Sequence, residues 1–143
     1  MPFPVLIRIT HKGNQLTGPT DAFGVTGVWE GHEFSHRVRG WDEFSGFSYE
    51  WQRAHREASV TMEVGSCLPP LYTALSRGEA LDKVELLWPR YSERGHTEGV
   101  YFTTVLYPVK VSGIELVCPN VKDRRYIHYS HLVRLDFRYR WIE

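Results

Sequence analysis

The chain has 143 residues, which suffice for one domain with a single hydrophobic core and are too few for two. Its 17 Lys and Arg residues balance 17 Asp and Glu residues, so the broad positive field that drives general nucleic-acid binding is absent. No apolar run has membrane-spanning length, and the start MPFPVLIRIT lacks the basic segment and cleavage site of a signal peptide, so we expect neither membrane insertion nor a cleaved leader.

The first third of the chain is predicted to form two strands joined by a loop. Apolar residues alternate from Val5 to Ile9, which predicts a strand. Turn-forming residues crowd positions 13–21 and predict a loop. The run from Val25 to Phe34 predicts a second strand, in which Gly27 and Gly31 indicate a bulge or a bend.

The middle of the chain combines an aromatic segment with a strand. Residues His36 to His55 are rich in aromatic side chains but show no clean repeat, and we assign them to a long loop. Long loops without regular structure are uncommon unless they dock onto something. The segment Ser59 to Val64 alternates and predicts a short strand, with its apolar residues Val60, Met62 and Val64 facing the core.

One helix is predicted, from about Leu68 to Arg77. Ser66 is a candidate N-cap, and Pro69 and Pro70 fit the first turn, where no backbone N–H is required. Gly78 suits the left-handed residue that commonly ends a helix. The helix is therefore short and begins soon after the preceding strand.

The second half of the chain is dominated by strands. The pattern predicts strands at Lys83 to Tyr91, Val100 to Tyr107 and Val109 to Val117, with a bend at Pro108. Glycines in the link 92–99 are consistent with a hairpin, and Pro119 to Ser130 is predicted to be a polar loop.

The run Leu132 to Ile142 is the clearest strand in the chain. One face carries Val133, Leu135, Phe137, Tyr139 and Trp141, and the other carries Arg134, Asp136, Arg138 and Arg140. Several short strands with one helix and no alternation of strands and helices predict a mainly β domain spanning residues 1–143. We expect a small barrel or two-sheet sandwich of short antiparallel strands with one flanking helix.

The sequence offers little evidence for a catalytic or metal site. His32 and His36 are four residues apart in a strand pattern, which separates them by about 13 Å and is too far for one ion. His128 and His131 lie in a predicted loop without further ligands nearby in sequence. We predict no metal, no cofactor and no catalytic residue, because neither a phosphate-binding glycine motif nor a C-x-x-C pair is present.

The two cysteines do not form a disulfide framework, which favours a reducing compartment. Cys67 falls in the first turn of the predicted helix, where the helix dipole would lower the pKa of a thiol. The chain also enters the core there, and we interpret Cys67 as a core residue. A cysteine-dependent enzyme is the less favoured hypothesis.

The aromatic and arginine residues are compatible with two hypotheses, ligand binding by a monomer and contact between subunits. Trp29, Trp41 or Trp51 could stack on a glycan or small ligand in a monomeric barrel, or aromatic residues could fill the core and a subunit contact. Thirteen of the 17 cations are Arg, which is favoured over Lys at protein interfaces. The row Arg134, Arg138 and Arg140 is equally compatible with a solvated face and with pairing to carboxylates of a neighbour.

An ordered series of short motifs resembles the Hcp family, the haemolysin-coregulated tube proteins of bacterial type VI secretion. The segment SVTMEVGSCLPPLYTALSRGEALDKVELLWPRY is similar to the strand, helix and strand at the centre of that family. In the Hcp family the loop that corresponds to residues 36–55 is usually rich in Gly, Ser and Thr, whereas this chain has aromatic residues there. Further matching positions are Pro4 to Ile9, Tyr101, Phe102, Leu106, Pro119 to Asp123, His131, Leu135, Phe137, Tyr139, Ile142 and Glu143.

The resemblance implies a structural role. Subunits of the family assemble head to tail into a six-membered ring, and rings stack into an inner tube that is propelled with effectors into a target cell. It implies contacts with the sheath, spike and baseplate, a location in the bacterial cytoplasm before firing, and no catalysis. We expect the subunit interface to include Trp41, Phe44, Phe47, Trp51, Arg134, Arg138 and Arg140, because so many aromatic residues exceed what a monomer leaves in water.

Overall fold

The computed structural model describes residues 4–22, 24–45, 48–91, 98–126, 128 and 131–143. For residues 39–45, 48–55, 91, 98 and 126 the description is of the backbone alone. The elements are β1 (Val5–His11), β2 (Asn14–Leu16), β3 (Thr20–Ala22), β4 (Val25–Ser35), β5 (Val38–Ser45), β6 (Ser48–His55), β7 (Ala58–Glu63), α1 (Leu68–Arg77), β8 (Ala80–Leu81), β9 (Lys83–Tyr91), β10 (Glu98–Val117), a 3-10 turn (Arg124–Tyr126) and β11 (Leu132–Ile142).

Six strands close into a barrel in the order β1, β9, β10, β11, β7, β4, and β4 returns to β1. All of these neighbours pair antiparallel. The short strands β2, β3 and β8 extend the ladder beside β1, β4 and β10. The prediction of a small antiparallel barrel with one flanking helix is confirmed.

The barrel interior is filled by one apolar cluster. Alternation along β1 and β11 places Ile7, Ile9, Leu135 and Phe137 in this cluster. The helix adds Leu71 and its apolar neighbours to the same core, so α1 closes one side of the barrel. Burial of these side chains is the main favourable contribution to folding.

The helix has the predicted bounds, but its N-cap is a different residue from the predicted one. Gly78 ends it in the left-handed conformation, with φ +65°, and its N–H bonds the carbonyl of Leu75 at 3.3 Å. The N-cap is Cys67, with no side-chain hydrogen bond, so the assignment of Ser66 was wrong. Two prolines in the first turn lack N–H groups, which leaves fewer donors for a capping side chain to satisfy.

Two segments predicted as loops contain strands. Residues 13–21 include β2 and β3, because Lys12 and Gly13 turn the chain tightly with positive φ and bring Leu16 opposite Ile9. Residues 36–55 contain the antiparallel pair β5 and β6, whose register runs from Val38 opposite His55 to Ser45 opposite Ser48. Aromatic residues occur at both odd and even positions along this pair, which hides the two-residue repeat.

Pro108 does not divide the strand that contains it. Strand β10 continues through it, pairing with β9 up to Leu106 and with β11 from Leu106 onward. Pro108 follows the point where β10 changes partner, so its missing N–H interrupts the ladder little. The inward placement predicted for Val64 was also wrong, because β7 ends at Glu63 and Val64 is 44% exposed.

Close packing requires several glycines, among them Gly31 and Gly65. The bulge predicted around Gly31 is confirmed by a register shift after it, and a Cβ there would lie 2.6 Å from Cγ1 of Val5. A Cβ on Gly65 would lie 2.1 Å from Cζ3 of Trp29, an indole ring that is almost fully buried. Neither position has room for a side chain.

We expect Gly65→Ala to lower the free energy of unfolding by about 2 kcal/mol, because the added methyl overpacks against Trp29. Gly99→Ala is the matched control, since nothing lies within 4 Å of a Cβ at that position. Urea denaturation followed by tryptophan fluorescence measures both. Identical midpoints for the two variants would show that the indole moves aside at no cost.

Candidate functional site

The described residues show no metal centre, and the cysteine considered as a nucleophile is shielded from solvent. Cys67 is buried, and burial raises the pKa of its thiol to about 12, so it remains protonated and enclosed in the core. Among the side chains that the structure describes, no three of His, Cys, Asp and Glu are grouped to hold a metal ion. His32 instead lies 3.8 Å from Glu63, and His36 contacts Tyr139.

The predicted arginine row lies on the outer face of β11, where two of its members are paired within the chain. Arg134 lies 3.7 Å from Glu115 on β10, and Arg138 lies 2.9 Å from Glu57. Arg140 packs over the ring of Trp141 at 5.8 Å. These side chains are exposed, so their ion pairs contribute little to the stability of one subunit.

Four of the predicted contact residues belong to the segment around the β5–β6 pair. This pair forms a two-stranded sheet outside the ladder of the barrel. Trp41 and Phe44 occupy positions in β5 and Trp51 in β6, but their side chains lie outside the description, as does Phe47 entirely. A two-stranded hairpin alone is at best marginally stable in water, so a partner surface would stabilise it.

An aromatic stack lies where the barrel meets this pair. Phe34, near the end of β4, packs edge to face on Trp88 at 5.6 Å. His36 lies 6.5 Å from Phe34 and hydrogen-bonds Tyr139. Burial raises the pKa of Tyr139, so its hydroxyl stays neutral. The stack holds together the strands from which the chain leaves for β5.

Exposed apolar residues mark a second surface where the end of β11 pairs with the middle of β10. Tyr107 lies directly opposite Trp141, and these side chains are 37% and 57% exposed. Ile142 follows and is also exposed. The sequence pattern placed Trp141 on the same face of β11 as Leu135 and Phe137, but β7 pairs with β11 only as far as Phe137. Trp141 lies beyond that point and is exposed.

Four of the open grooves on the barrel differ in the charge of the residues that line them. Two, of about 380 and 440 Å³, share Glu30 and include Glu63 and Glu33. The other two, of about 550 and 350 Å³, share Arg138 and Tyr139. We name the first pair the acidic grooves and the second pair the basic grooves. The described residues lining the basic grooves are Arg56, Glu57, Ala80, Pro108, Lys110, Arg138, Tyr139 and Arg140.

A charged network lies on the outer wall between β1 and β9. Glu85 is buried. Its carboxylate accepts a hydrogen bond from Arg8 at 2.8 Å and forms an ion pair with Lys83 at 2.7 Å. Burial raises the pKa of Glu85, but the hydrogen bonds from Lys83 and Arg8 lower it more strongly. The net pKa lies below the ordinary value of 4.5, so the carboxylate is stabilised as an anion.

No helix among the described residues has the length and apolar character that a membrane crossing demands. The chain matches the family model described as type VI secretion system effector, Hcp, over residues 10–143. It is 36% identical over 121 residues to the major exported protein of Pseudomonas aeruginosa, covering 79% of this chain and 69% of that protein.

Solved structures show the same fold. The Hcp1 protein from E. coli EAEC 042 pathovar superimposes with a TM-score of 0.80 and 26% identity, over 98% of this chain and 89% of that one. A chain in the baseplate of the anti-feeding prophage superimposes with a TM-score of 0.60 and 12% identity, over 100% and 93% of the two chains. At that identity the second likeness concerns the fold alone.

We expect Glu85→Gln to lower the free energy of unfolding by about 1 to 2 kcal/mol at pH 7, because the neutral amide pairs less well with Arg8 and Lys83. The folded-state pKa of Glu85 is depressed, so its contribution is present above pH 4.5 and is lost as the pH falls through the lower folded-state pKa. The difference between wild type and variant should therefore shrink in acid.

Denaturation at pH 7 and at several values below 4.5 measures this difference. Glu115→Gln is the control, because the pair of Glu115 with Arg134 is exposed and its loss should cost less than about 0.5 kcal/mol. A gap between wild type and Glu85→Gln that stays constant with pH contradicts the assigned electrostatic origin.

We expect Cys118 to react rapidly with an aromatic disulfide reagent at neutral pH and Cys67 to react only after unfolding, because Cys118 is exposed and Cys67 is buried with a pKa of about 12. Counting the thiols released before and after adding denaturant tests this. Fast labelling of Cys67 in the Cys118→Ser variant would revive the hypothesis of a cysteine-dependent enzyme.

Proposed function

Because the chain belongs to the Hcp family of type VI secretion system effectors, we propose that it is a structural subunit of the inner tube of that machine. Six copies assemble head to tail into a ring, and rings stack and carry effectors to a target cell. The role is structural rather than enzymatic. The likeness of the E. coli Hcp1 barrel over nearly the whole chain supports this assignment.

The observation that carries the proposal is the β5–β6 pair outside the barrel ladder. A ring whose subunits contact head to tail needs two different surfaces on each subunit. One surface is this pair, through Trp41, Phe44, Phe47 and Trp51. The other includes the outer face of β11, through Arg134, Arg138 and Arg140, beside the exposed Tyr107 and Trp141.

The partners follow from the same assignment. The tube contacts the sheath around it, the spike at its tip and the baseplate from which it grows, and it carries effector cargo. The subunit is made in the bacterial cytoplasm and leaves the cell when the machine fires. The name of the Pseudomonas aeruginosa relative, major exported protein, supports this export.

A monomeric barrel that binds a glycan or small ligand is the alternative. The described core side chains fill the barrel interior, and the described grooves are open rather than enclosed, so the part of the chain that the structure describes offers this function no deep site. Tryptophan fluorescence during titration with sugars provides its direct test.

We expect light scattering at micromolar concentration to give six times the subunit mass of 16.7 kDa, about 100 kDa, with rings visible by negative-stain microscopy. Trp51→Ser should shift the protein toward monomer, because aromatic residues carry much of the energy of protein contacts. Val121→Ser is the control, since Val121 is 83% exposed and lies outside both proposed surfaces.

Circular dichroism must show that both variants remain folded. A wild-type chain that stays at the subunit mass at every concentration, with tryptophan fluorescence that responds to a sugar, would overturn the tube assignment in favour of the ligand-binding barrel.

A further inference from the structure

The acidic and basic grooves carry opposite charge on a chain whose total is balanced. The acidic grooves include Glu30, Glu33 and Glu63, and no Lys or Arg is among their described lining residues. The basic grooves include four cations and a single acidic residue, Glu57. We call the surface around the acidic grooves the acidic face and the surface around the basic grooves the basic face. The cations of the basic face are Arg56, Lys110, Arg138 and Arg140.

The basic face contains an unfavourable pair. Lys110 on β10 lies directly opposite Arg138 on β11, and like charges at such positions destabilise a sheet. Arg140 lies two residues from Arg138 on the same strand face, which adds to the repulsion. Among the described side chains Glu57 pairs with Arg138, at 2.9 Å, and the Arg138 side chain remains 75% exposed. An anionic surface that covers this face would relieve the repulsion.

The carboxylate of Glu63 lies far from the cations of the basic face within one subunit. Glu63 lies opposite Leu132, at the start of β11, whereas Arg138 and Arg140 lie near its end. A strand rises about 3.3 Å per residue, so six residues separate these levels by about 20 Å. A second copy of the chain can bring this part of the acidic face against the basic face.

We propose that the basic face of one copy docks on the acidic face of the next. The contact is heterologous, because each copy contributes a different face to each of its two neighbours. It rests on the proposed function and specifies the chemistry of one contact in the assembly. The apolar contacts of the β5–β6 pair supply affinity, and the charged faces supply orientation and salt dependence.

Charge reversal at Lys110 separates this role from a structural one. Lys110→Glu replaces a like-charge pair with an ion pair to Arg138 inside the subunit, so the isolated subunit should become slightly more stable. Assembly should nevertheless weaken, with the concentration for half assembly rising about tenfold in low salt. A purely structural role would move stability and assembly in the same direction.

Complementation tests whether the two faces meet. Glu30→Lys reverses a residue that lines both acidic grooves and should weaken assembly similarly. Each variant alone places one like-charged residue in every contact, whereas an equimolar mixture can alternate copies so that the two reversed positions, 110 and 30 of different copies, are not left opposite like charges. Assembly should therefore recover in the mixture and in the double variant. Lys122→Glu, an exposed reversal outside both faces, is the control for altered net charge.

Light scattering across a salt series reads out each sample. Recovery of assembly in the mixture, without an effect of Lys122→Glu, supports the proposal. A wild-type ring that tolerates both single reversals overturns this contact but leaves the proposed function standing, whereas a wild-type chain that never assembles overturns both. If assembly is lost in each single variant and is not recovered in the mixture, the proposed contact between the two faces is also overturned. The basic face would then bind some other acidic partner.

Discussion

The pairing of β1 with β4 is the constraint on which the rest of the structure depends. It converts an open antiparallel sheet into a closed barrel, so that no edge of the six-stranded wall remains unpaired along this seam. The closure requires Gly31, whose missing side chain leaves space for Val5. The register shift after Gly31 lets β4 continue onto β7, and the chain then leaves the wall at Ser35.

Closure also determines what the outer wall presents. Side chains alternate along a strand, so the residues of β1 and β11 between those that fill the interior face outward, among them Arg8, Arg134 and Arg138. The network of Arg8, Lys83 and Glu85 is nearly satisfied within one subunit. The charges of the basic face are not compensated within one subunit, since Lys110 and Arg138 repel each other there. A protein of zero net charge therefore carries two surfaces with opposite local charge, which suits association between copies of unlike faces.

Membership in the Hcp family and the outer surface of the barrel lead to the same kind of function. The described residues hold no metal cluster, and the buried thiol of Cys67 is protonated. The features without an explanation in a monomer are the β5–β6 pair, the exposed Trp141 and the repelling cations of the basic face. The proposed tube assembly would explain each of them by contact with further copies of the chain.

The sequence alone determined the mainly β class with one flanking helix, the bounds of α1, β9 and β11, and the helix end at Gly78, because these depend on local alternation, prolines and a left-handed glycine. It left a barrel and a two-sheet sandwich open, and the pairing of β1 with β4 decided for the barrel. The sequence also contained the motifs that identify the family. Only the tertiary structure decided that residues 36–55 pair as β5 and β6, that β10 runs through Pro108, and that Trp141 is exposed. The physical reason is that strand pairing, partner change along a strand and groove charge depend on residues far apart in the chain, and no local repeat records which strands become neighbours.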